Sequence, residues 1–163
     1  MLATDLTVGA LVERDGAFLI IEERVSGELV LTQPGGHLER AESPEAAAAR
    51  ETLEEAGCEI TASELLGVYL WIHPQTRQQY LRLMYVCDLV FEHPEPTLDD
   101  GIVDVHWMTA DELSRHALRH RTPIVDRAVR DYLDGTRAGR DMLNGMQPVQ
   151  RNVAAMLASA SLV

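Results

Sequence analysis

The sequence predicts one α/β domain in which helices pack on a mixed sheet. Apolar runs of strand length recur between residues 6 and 108, and segments with helix start and stop signals lie between and after them. The chain has 163 residues, of which 46% are hydrophobic and only 5% are aromatic. Aliphatic residues and alanine must therefore fill a core of ordinary size for a single domain.

The first part of the chain predicts three strands and a loop. Leu6–Glu13 and Ala17–Glu23 alternate weakly, and the tight-turn dipeptide Asp15-Gly16 between them favours a hairpin. Leu29–Thr32 is a short third strand. Gln33-Pro34-Gly35-Gly36 interrupts both helical and strand periodicity, so we expect a loop there.

A helix is predicted from Pro44 to Ala56. Ser43 is a favourable N-cap, proline suits the first helical position, and Gly57 is a natural helix stop. Its side chains advance by about 100° per residue, so Glu51, Glu54 and Glu55 share one face.

The acidic face of this helix predicts a cation site. We expect the opposite face to be buried, with the acidic face bordered by Ala47 and Ala48. The predicted buried residues are Ala46, Ala49, Leu53 and Ala56. Like charges at this spacing repel each other, and carboxylates suit Mg²⁺, Mn²⁺ or Ca²⁺ better than zinc. A solvated acidic surface is the alternative for these three glutamates taken alone.

The second half predicts further strands and two more helices. Leu65–Ile72, Tyr80–Phe91 and Ile102–Met108 are strand-length apolar runs. Thr109–Glu112 matches a capping box and begins a short helix. Thr122-Pro123 begins another, which ends at Gly135. The apolar positions of this last helix are Ile124, Val125, Ala128, Val129 and Leu133. We expect residues 1–135 to form the domain and residues 136–163 to form a C-terminal extension that is either packed or mobile and could be helical over 151–162.

The formal net charge of −12 argues against binding to nucleic-acid polymers or anionic membranes. An anionic substrate would also be repelled unless cations were present at its site. Cys58 and Cys87 are too few for a disulfide scaffold, and we expect both to pack in the core. We see no signal peptide and no apolar run of transmembrane length, and so expect a cytoplasmic protein.

Residues 36–58 resemble the Nudix box, G-x5-E-x7-R-E-U-x-E-E-x-G-U, where U is usually aliphatic. The fixed positions are filled by Gly36, Glu42, Arg50, Glu51, Glu54, Glu55 and Gly57. Thr52 and Cys58 depart mildly at the aliphatic positions. Similarity to the NudJ-type phosphatases extends over residues 5–135. It includes Gln33–Glu39, Trp71–Pro74, Tyr80–Tyr85 and Trp107.

This resemblance implies a Nudix-like α/β/α sandwich with a curved mixed sheet. It also implies a Mg²⁺-dependent hydrolase of small pyrophosphates, with Mn²⁺ as an alternative metal. The NudJ-type subgroup is associated with release of phosphate from nucleoside tri- and diphosphates and from thiamine-type pyrophosphates. Two alternatives remain open: a pyrophosphohydrolase of oxidised nucleoside triphosphates or ADP-ribose, and a non-catalytic binding module. The oligomeric state, monomer or homodimer, is also open.

The resemblance further implies roles for the box residues. Glu51, Glu54 and Glu55 would bind the metal, with a backbone carbonyl of Gly35 or Gly36. Arg50 and Glu42 would form an ion pair that orients the site. The general base is either Glu51 or an acidic residue before Trp107, for which the candidates are Asp99, Asp100 and Asp104.

The candidates for substrate contacts lie outside the helix. Arg82, Arg24 and His37 are candidates for phosphate binding, although a plain surface role is the alternative for each. Trp71 and Tyr80 are candidates for stacking on a substrate ring, and the alternative is that both belong to the core.

Overall fold

The computed structural model describes residues 4–138 and is a mixed α/β structure. The strands within this range are β1 (Thr4–Arg14), β2 (Ala17–Val25), β3 (Glu28–Thr32), β4 (Cys58–Ile72), β5 (Gln79–Glu92) and β6 (Ile102–Thr109). The helices are α1 (Pro44–Ala56), α2 (Ala110–Arg115) and α3 (Ile124–Leu133), with a 3-10 turn at Ala117–Arg119. The predicted helix at 151–162 lies outside the described residues.

Strand β1 connects the two parts of the sheet. It pairs in parallel with β5 from Thr4 to Val12, and β5 pairs in antiparallel fashion with β4. At its C-terminal end β1 forms the predicted hairpin with β2, which in turn lies between β3 and β6. The predicted mixed sheet is confirmed, with β3-β2-β1-β5-β4 as its order and β6 paired with β2.

Helices pack on both sides of the strands, as the α/β/α expectation requires. On one side Ala47, Ala48 and Ala56 of α1 join the core formed by β1, β4 and β5. On the other side α2 and α3 contribute to a second core around Phe18 and Met84. The small alanine side chains let α1 approach the sheet closely, which brings its acidic residues next to the strands.

The local helix signals are confirmed. The Ser43 hydroxyl accepts a hydrogen bond from the Ala46 N–H, and Gly57 ends α1 with φ of 64°. Thr109 forms the predicted capping box at the start of α2. Both cysteines are buried and free, as expected. Within residues 4–138 no helix is long and apolar enough to cross a membrane.

The predicted buried face of α1 was wrong. Ala46 is exposed and 42% of Leu53 is exposed, whereas Ala49 is partly buried and only Ala56 is buried as expected. The buried residues are Pro44, Ala47, Ala48, Thr52 and Ala56. Relative to the prediction, α1 is rotated about its axis, so that its alanine side chains rather than Leu53 lie against the strands. In α3, the apolar residue Leu133 is 58% exposed.

Candidate active site

The loop after β3 lies directly on β1. The Val8 N–H donates to the Gly36 carbonyl and the Ala10 N–H donates to the Pro34 carbonyl, each at 2.9 Å. Gly35 has φ of 149°, and a Cβ there would lie 2.2 Å from the Val8 carbonyl oxygen and 2.7 Å from the Gly9 Cα. Only glycine fits at this position, because the obstructing atoms are backbone.

The same loop meets two carboxylates of α1. The Gly35 N–H donates to Glu55 Oε2 at 2.7 Å. A Cβ on Gly36 would lie 2.6 Å from the carboxylate atoms of Glu51, so this carboxylate packs against the glycine backbone. Only 13% of the Glu51 side chain is exposed, compared with 42% for Glu54. Glu51 and Glu55 therefore point towards the loop rather than towards bulk solvent.

Arg50 holds three carboxylates at the base of this loop. Its Nε and Nη2 donate to the two carboxylate oxygens of Glu42 at 2.9 and 3.0 Å, which is the ion pair expected from the sequence. Its Nη1 donates to Glu51 at 2.8 Å and to Glu54 at 3.0 Å, and Nη2 also reaches the His37 carbonyl. Hydrogen bonding from Arg50 holds the pKa of Glu42 below its usual range.

Glu55 is in a different electrostatic environment. Burial raises its pKa to about 7, the Gly35 N–H opposes this rise, and the negative charge of Glu51 adds to it. Desolvation is thus the main effect on Glu55, and a nearby cation would favour its ionised form.

The donor set suits a hard divalent cation by its chemistry. Glu51 and Glu55 offer carboxylate oxygens beside a glycine loop, and Mg²⁺ and Mn²⁺ prefer oxygen ligands. The Gly36 carbonyl already accepts from Val8, whereas the Gly35 carbonyl accepts only a 3.4 Å contact from Arg82, so Gly35 is the better candidate. As placed, no three acidic, histidine or cysteine side chains within residues 4–138 converge on one metal position. One carboxylate oxygen of Glu51 and one of Glu54 accept hydrogen bonds from Arg50.

Glu51 and Glu55 form one wall of a cleft of about 790 Å³. The other walls come from β3, the ends of β4 and β5, and the segment before α3. The lining includes Glu51, Glu55, Trp71, Tyr80, Arg82 and Arg121. The cleft therefore combines two glutamate carboxylates, two guanidinium groups and an aromatic surface.

The aromatic wall is built by paired residues of β4 and β5. Trp71 pairs with Tyr80, and their ring centroids are 5.4 Å apart at an interplanar angle of 30°. His73 contacts Trp71 edge-on at 5.3 Å. The rings of Trp71 and Tyr80 both line the cleft, and Trp71 also packs against the second core.

Two of the predicted phosphate-binding residues line the cleft. Arg82 follows Tyr80 on the same face of β5, and its Nε and Nη2 make 3.4 Å contacts with the Thr7 hydroxyl and the Gly35 carbonyl. Burial lowers the pKa of Arg82 to about 10. His37 lines the cleft with a largely exposed side chain, 3.8 Å from Asp5.

The structure does not bring the remaining candidates into the cleft. Arg24 is exposed and outside the cleft lining. Asp99, Asp100 and Asp104 are exposed as well and do not line it, so Glu51 is the base candidate that the cleft contains. Sequence reasoning missed Arg121, which sits in a polar loop before a helix and carries no local signal.

Comparison with known proteins agrees with this geometry. The sequence model of the NUDIX domain matches residues 3–129. Phosphatase NudJ of Escherichia coli strain K12 is 32% identical over 143 residues, which are 88% of this chain and 92% of that protein.

Solved structures are similar as well. A NUDIX hydrolase from Nitrosomonas europaea has a TM-score of 0.83 and 37% identity, covering 86% of this chain and 96% of that one. The MutT NUDIX hydrolase from Burkholderia pseudomallei, at 24% identity and a TM-score of 0.67, covers 79% of this chain and 98% of its own and shares the fold. Gly36, Glu51 and Glu55 of the box line one cleft, and these similarities show that the chain belongs to the NUDIX family and is a hydrolase acting on phosphoric anhydrides.

Proposed function

We propose that this hydrolase is a Mg²⁺-dependent phosphatase that releases phosphate from nucleoside di- and triphosphates and from thiamine-type pyrophosphates. The observation that carries the proposal is the cleft itself, where Glu51 and Glu55 face Arg82 beside the Trp71–Tyr80 pair. Such a site has groups for a metal, for phosphate oxygens and for an aromatic ring. The relatives named Phosphatase NudJ support this choice of activity.

The metal would be held by Glu51, Glu54, Glu55 and the Gly35 carbonyl. When bound, Mg²⁺ or Mn²⁺ neutralises phosphate charge and lowers the pKa of a coordinated water. Arg50 fixes the position of Glu51 and Glu54 while Glu42 fixes Arg50 through two parallel hydrogen bonds. The Arg50–Glu42 pair thus acts on the ligands and does not itself touch substrate.

The other cleft residues would position the substrate. Arg82 offers its guanidinium donors to phosphate oxygens, and the paired rings of Trp71 and Tyr80 offer an aromatic surface for a base or pyrimidine. Glu51 remains our candidate for the base that takes a proton from the attacking water. The distal candidates before Trp107 would have to enter the cleft by a rearrangement.

Replacing Glu55 by glutamine tests the catalytic assignment. The amide keeps an oxygen that accepts from the Gly35 N–H, and burial already disfavours the charged form, so we expect the folded state to retain its stability. We expect loss of the negative metal ligand to lower turnover by about 100-fold or more. Glu45→Gln is the matched control, because Glu45 is an exposed residue of the same helix outside the cleft.

Products identify the substrate class. Phosphorus NMR with Mg²⁺ should show orthophosphate released from ADP and from thiamine pyrophosphate by the wild type and by Glu45→Gln. Pyrophosphate from a triphosphate, or AMP from ADP-ribose, would instead support the pyrophosphohydrolase alternative. Unchanged turnover in Glu55→Gln would contradict the role given to this carboxylate, and absent turnover in the wild type would favour a binding module.

We also propose a cytoplasmic location, a monomer or homodimer, and a C-terminal extension at 136–163 that is either packed or mobile. Cell fractionation, light scattering and comparison of the full chain with a chain ending at Gly135 would test these three points.

A further inference from the structure

We infer that Arg121 and Arg82 together form a subsite for the terminal phosphate, through which the cleft favours pyrophosphates whose end phosphate is unsubstituted. This inference rests on the proposed function, since it assigns which part of that substrate the two arginines bind.

Arg121 is anchored by its backbone while its side chain borders the cleft. Its N–H donates to the Leu31 carbonyl at 2.9 Å, which ties the segment before α3 to β3. Its Nη1 pairs with Glu23 at 2.5 Å, and 44% of the Arg121 side chain but only 12% of the Glu23 side chain is exposed. The backbone position of Arg121 is thus fixed, and its guanidinium keeps further N–H donors that can bind an anion entering the cleft.

Arg82 is poorly satisfied where it lies. Within residues 4–138, no carboxylate lies within ion-pairing distance of its guanidinium, and both of its hydrogen bonds are 3.4 Å long. Arg82 and Arg121 line the same cleft, and a bound anion would offset the repulsion between these two like charges.

The position of this pair relative to the acidic wall suits a phosphate chain. Gly35 links the two sides, because its N–H binds Glu55 while its carbonyl accepts from Arg82. Tyr80, two residues before Arg82, lies on the same face of β5 and marks the aromatic end. A substrate that stacks on the rings can therefore extend its phosphates between the carboxylates and the arginines.

The charge of the pair favours a terminal over an internal phosphate. A terminal phosphate offers three non-bridging oxygens and up to two negative charges, whereas an internal phosphate offers two oxygens and one charge. Two guanidinium groups therefore match the greater charge and the third oxygen of a terminal phosphate better than they match an internal one. Substitution at the end, as by the ribose of ADP-ribose, removes the better match.

A matched pair of variants isolates this role. Arg121→Ala removes the proposed subsite residue, and Arg119→Ala is its control. Arg119 pairs with Glu22, the residue next to Glu23, and is 38% exposed, but it does not line the cleft. Both variants thus remove one similar ion pair to strand β2, and only one of them removes a cleft cation.

Binding is measured by calorimetry on the full chain with Mg²⁺, using α,β-methylene-ADP and α,β-methylene-ADP-ribose, whose bridging carbon resists hydrolysis. We expect Arg121→Ala to weaken binding of the first by about 10- to 100-fold, and of the second by less than about threefold. Arg119→Ala should leave both affinities within about threefold of the wild type. Arg121→Lys, which keeps the charge but loses the fork, should give an intermediate loss and also serves if Arg121→Ala does not fold.

The subsite would be refuted if Arg121→Ala lost equal affinity for the two ligands, or if Arg121→Ala and Arg119→Ala had equal affinities. It would also be refuted if the wild type did not bind α,β-methylene-ADP. Turnover of ADP by the wild type is assayed in parallel. Arg121-dependent binding without turnover would refute the proposed phosphatase activity while leaving the subsite supported.

Discussion

Replacing Gly36 by alanine should impair catalysis while leaving the fold intact. The added Cβ would lie 2.6 Å from the carboxylate carbon and both oxygens of Glu51. Ordinary van der Waals contact begins near 3.4 Å, so the carboxylate must move by about 0.8 Å. The obstructing atoms are the end of a flexible side chain, and the backbone can remain in place.

The expected magnitudes differ for stability and for activity. Moving one side-chain terminus costs about 1 kcal/mol of unfolding free energy, the lower end of overpacking effects. If Glu51 binds the metal as proposed, displacing its carboxylate by nearly 1 Å should lower kcat by about 100-fold. Gly36→Ala should therefore unfold close to the wild type in urea and yet release phosphate much more slowly.

Gly35→Ala is the matched control for this experiment. The same methyl group added one residue earlier would lie 2.2 Å from the Val8 carbonyl oxygen, at a residue with φ of 149°. Because backbone atoms cannot rotate away, we expect a loss of at least about 3 kcal/mol of unfolding free energy. The reasoning is refuted if Gly36→Ala keeps wild-type kcat, or if it is destabilised as strongly as Gly35→Ala.

Two further predictions concern stability. Thr109→Ala removes the hydroxyl that accepts a hydrogen bond from the Glu112 N–H. The variant should therefore lose about 1 kcal/mol of unfolding free energy and about 2–4 °C in Tm, measured by calorimetry. A change no larger than that of the exposed-site variant Thr97→Ala would contradict this prediction. The hydrogen bond with His106 holds the pKa of Glu22 below its ordinary value of 4.5. The stabilisation is therefore complete above pH 4.5 and is lost as the pH falls through the lower folded-state pKa. In urea titrations below pH 4.5 the decline in stability should be shallower for Glu22→Gln than for the wild type, and identical pH profiles would contradict this.

Elements with strong local signals were predictable from the sequence. Helix α1 has the predicted limits, because its cap, its first-turn proline and Gly57 all act within the chain segment itself. Strand β4 begins at Cys58 instead of Leu65, since its first residues pair with the end of β5, as in Cys58 with Glu92. Buried Cys58 and Ile60 alternate there with exposed Glu59. Three residues are too short a pattern to predict a strand, and it is the pairing with β5 that makes this segment part of β4.

The site was predictable where its residues are close in sequence and not where they are distant. Loop and helix residues of the box meet because the spacing is local. Arg121 enters the cleft because its segment is bonded to Leu31, a pairing for which the sequence offers no pattern. Arg24 is outside the cleft because successive side chains of a strand point to opposite faces of the sheet. Its neighbour Glu23 points towards Arg121 and pairs with it, so Arg24 points the other way.

The rotation of α1 changes the energetic interpretation of its acidic residues. Spacing alone suggested three carboxylates that share an exposed face and repel one another. In the structure Ala47 and Ala48 face the core, so Glu51 and Glu55 turn towards the glycine loop. Burial is then the largest cause of the raised pKa of Glu55, ahead of the charge of Glu51. A divalent cation at this position would chiefly replace lost hydration, and the small size of the paired glycines is what leaves the carboxylates room to face it.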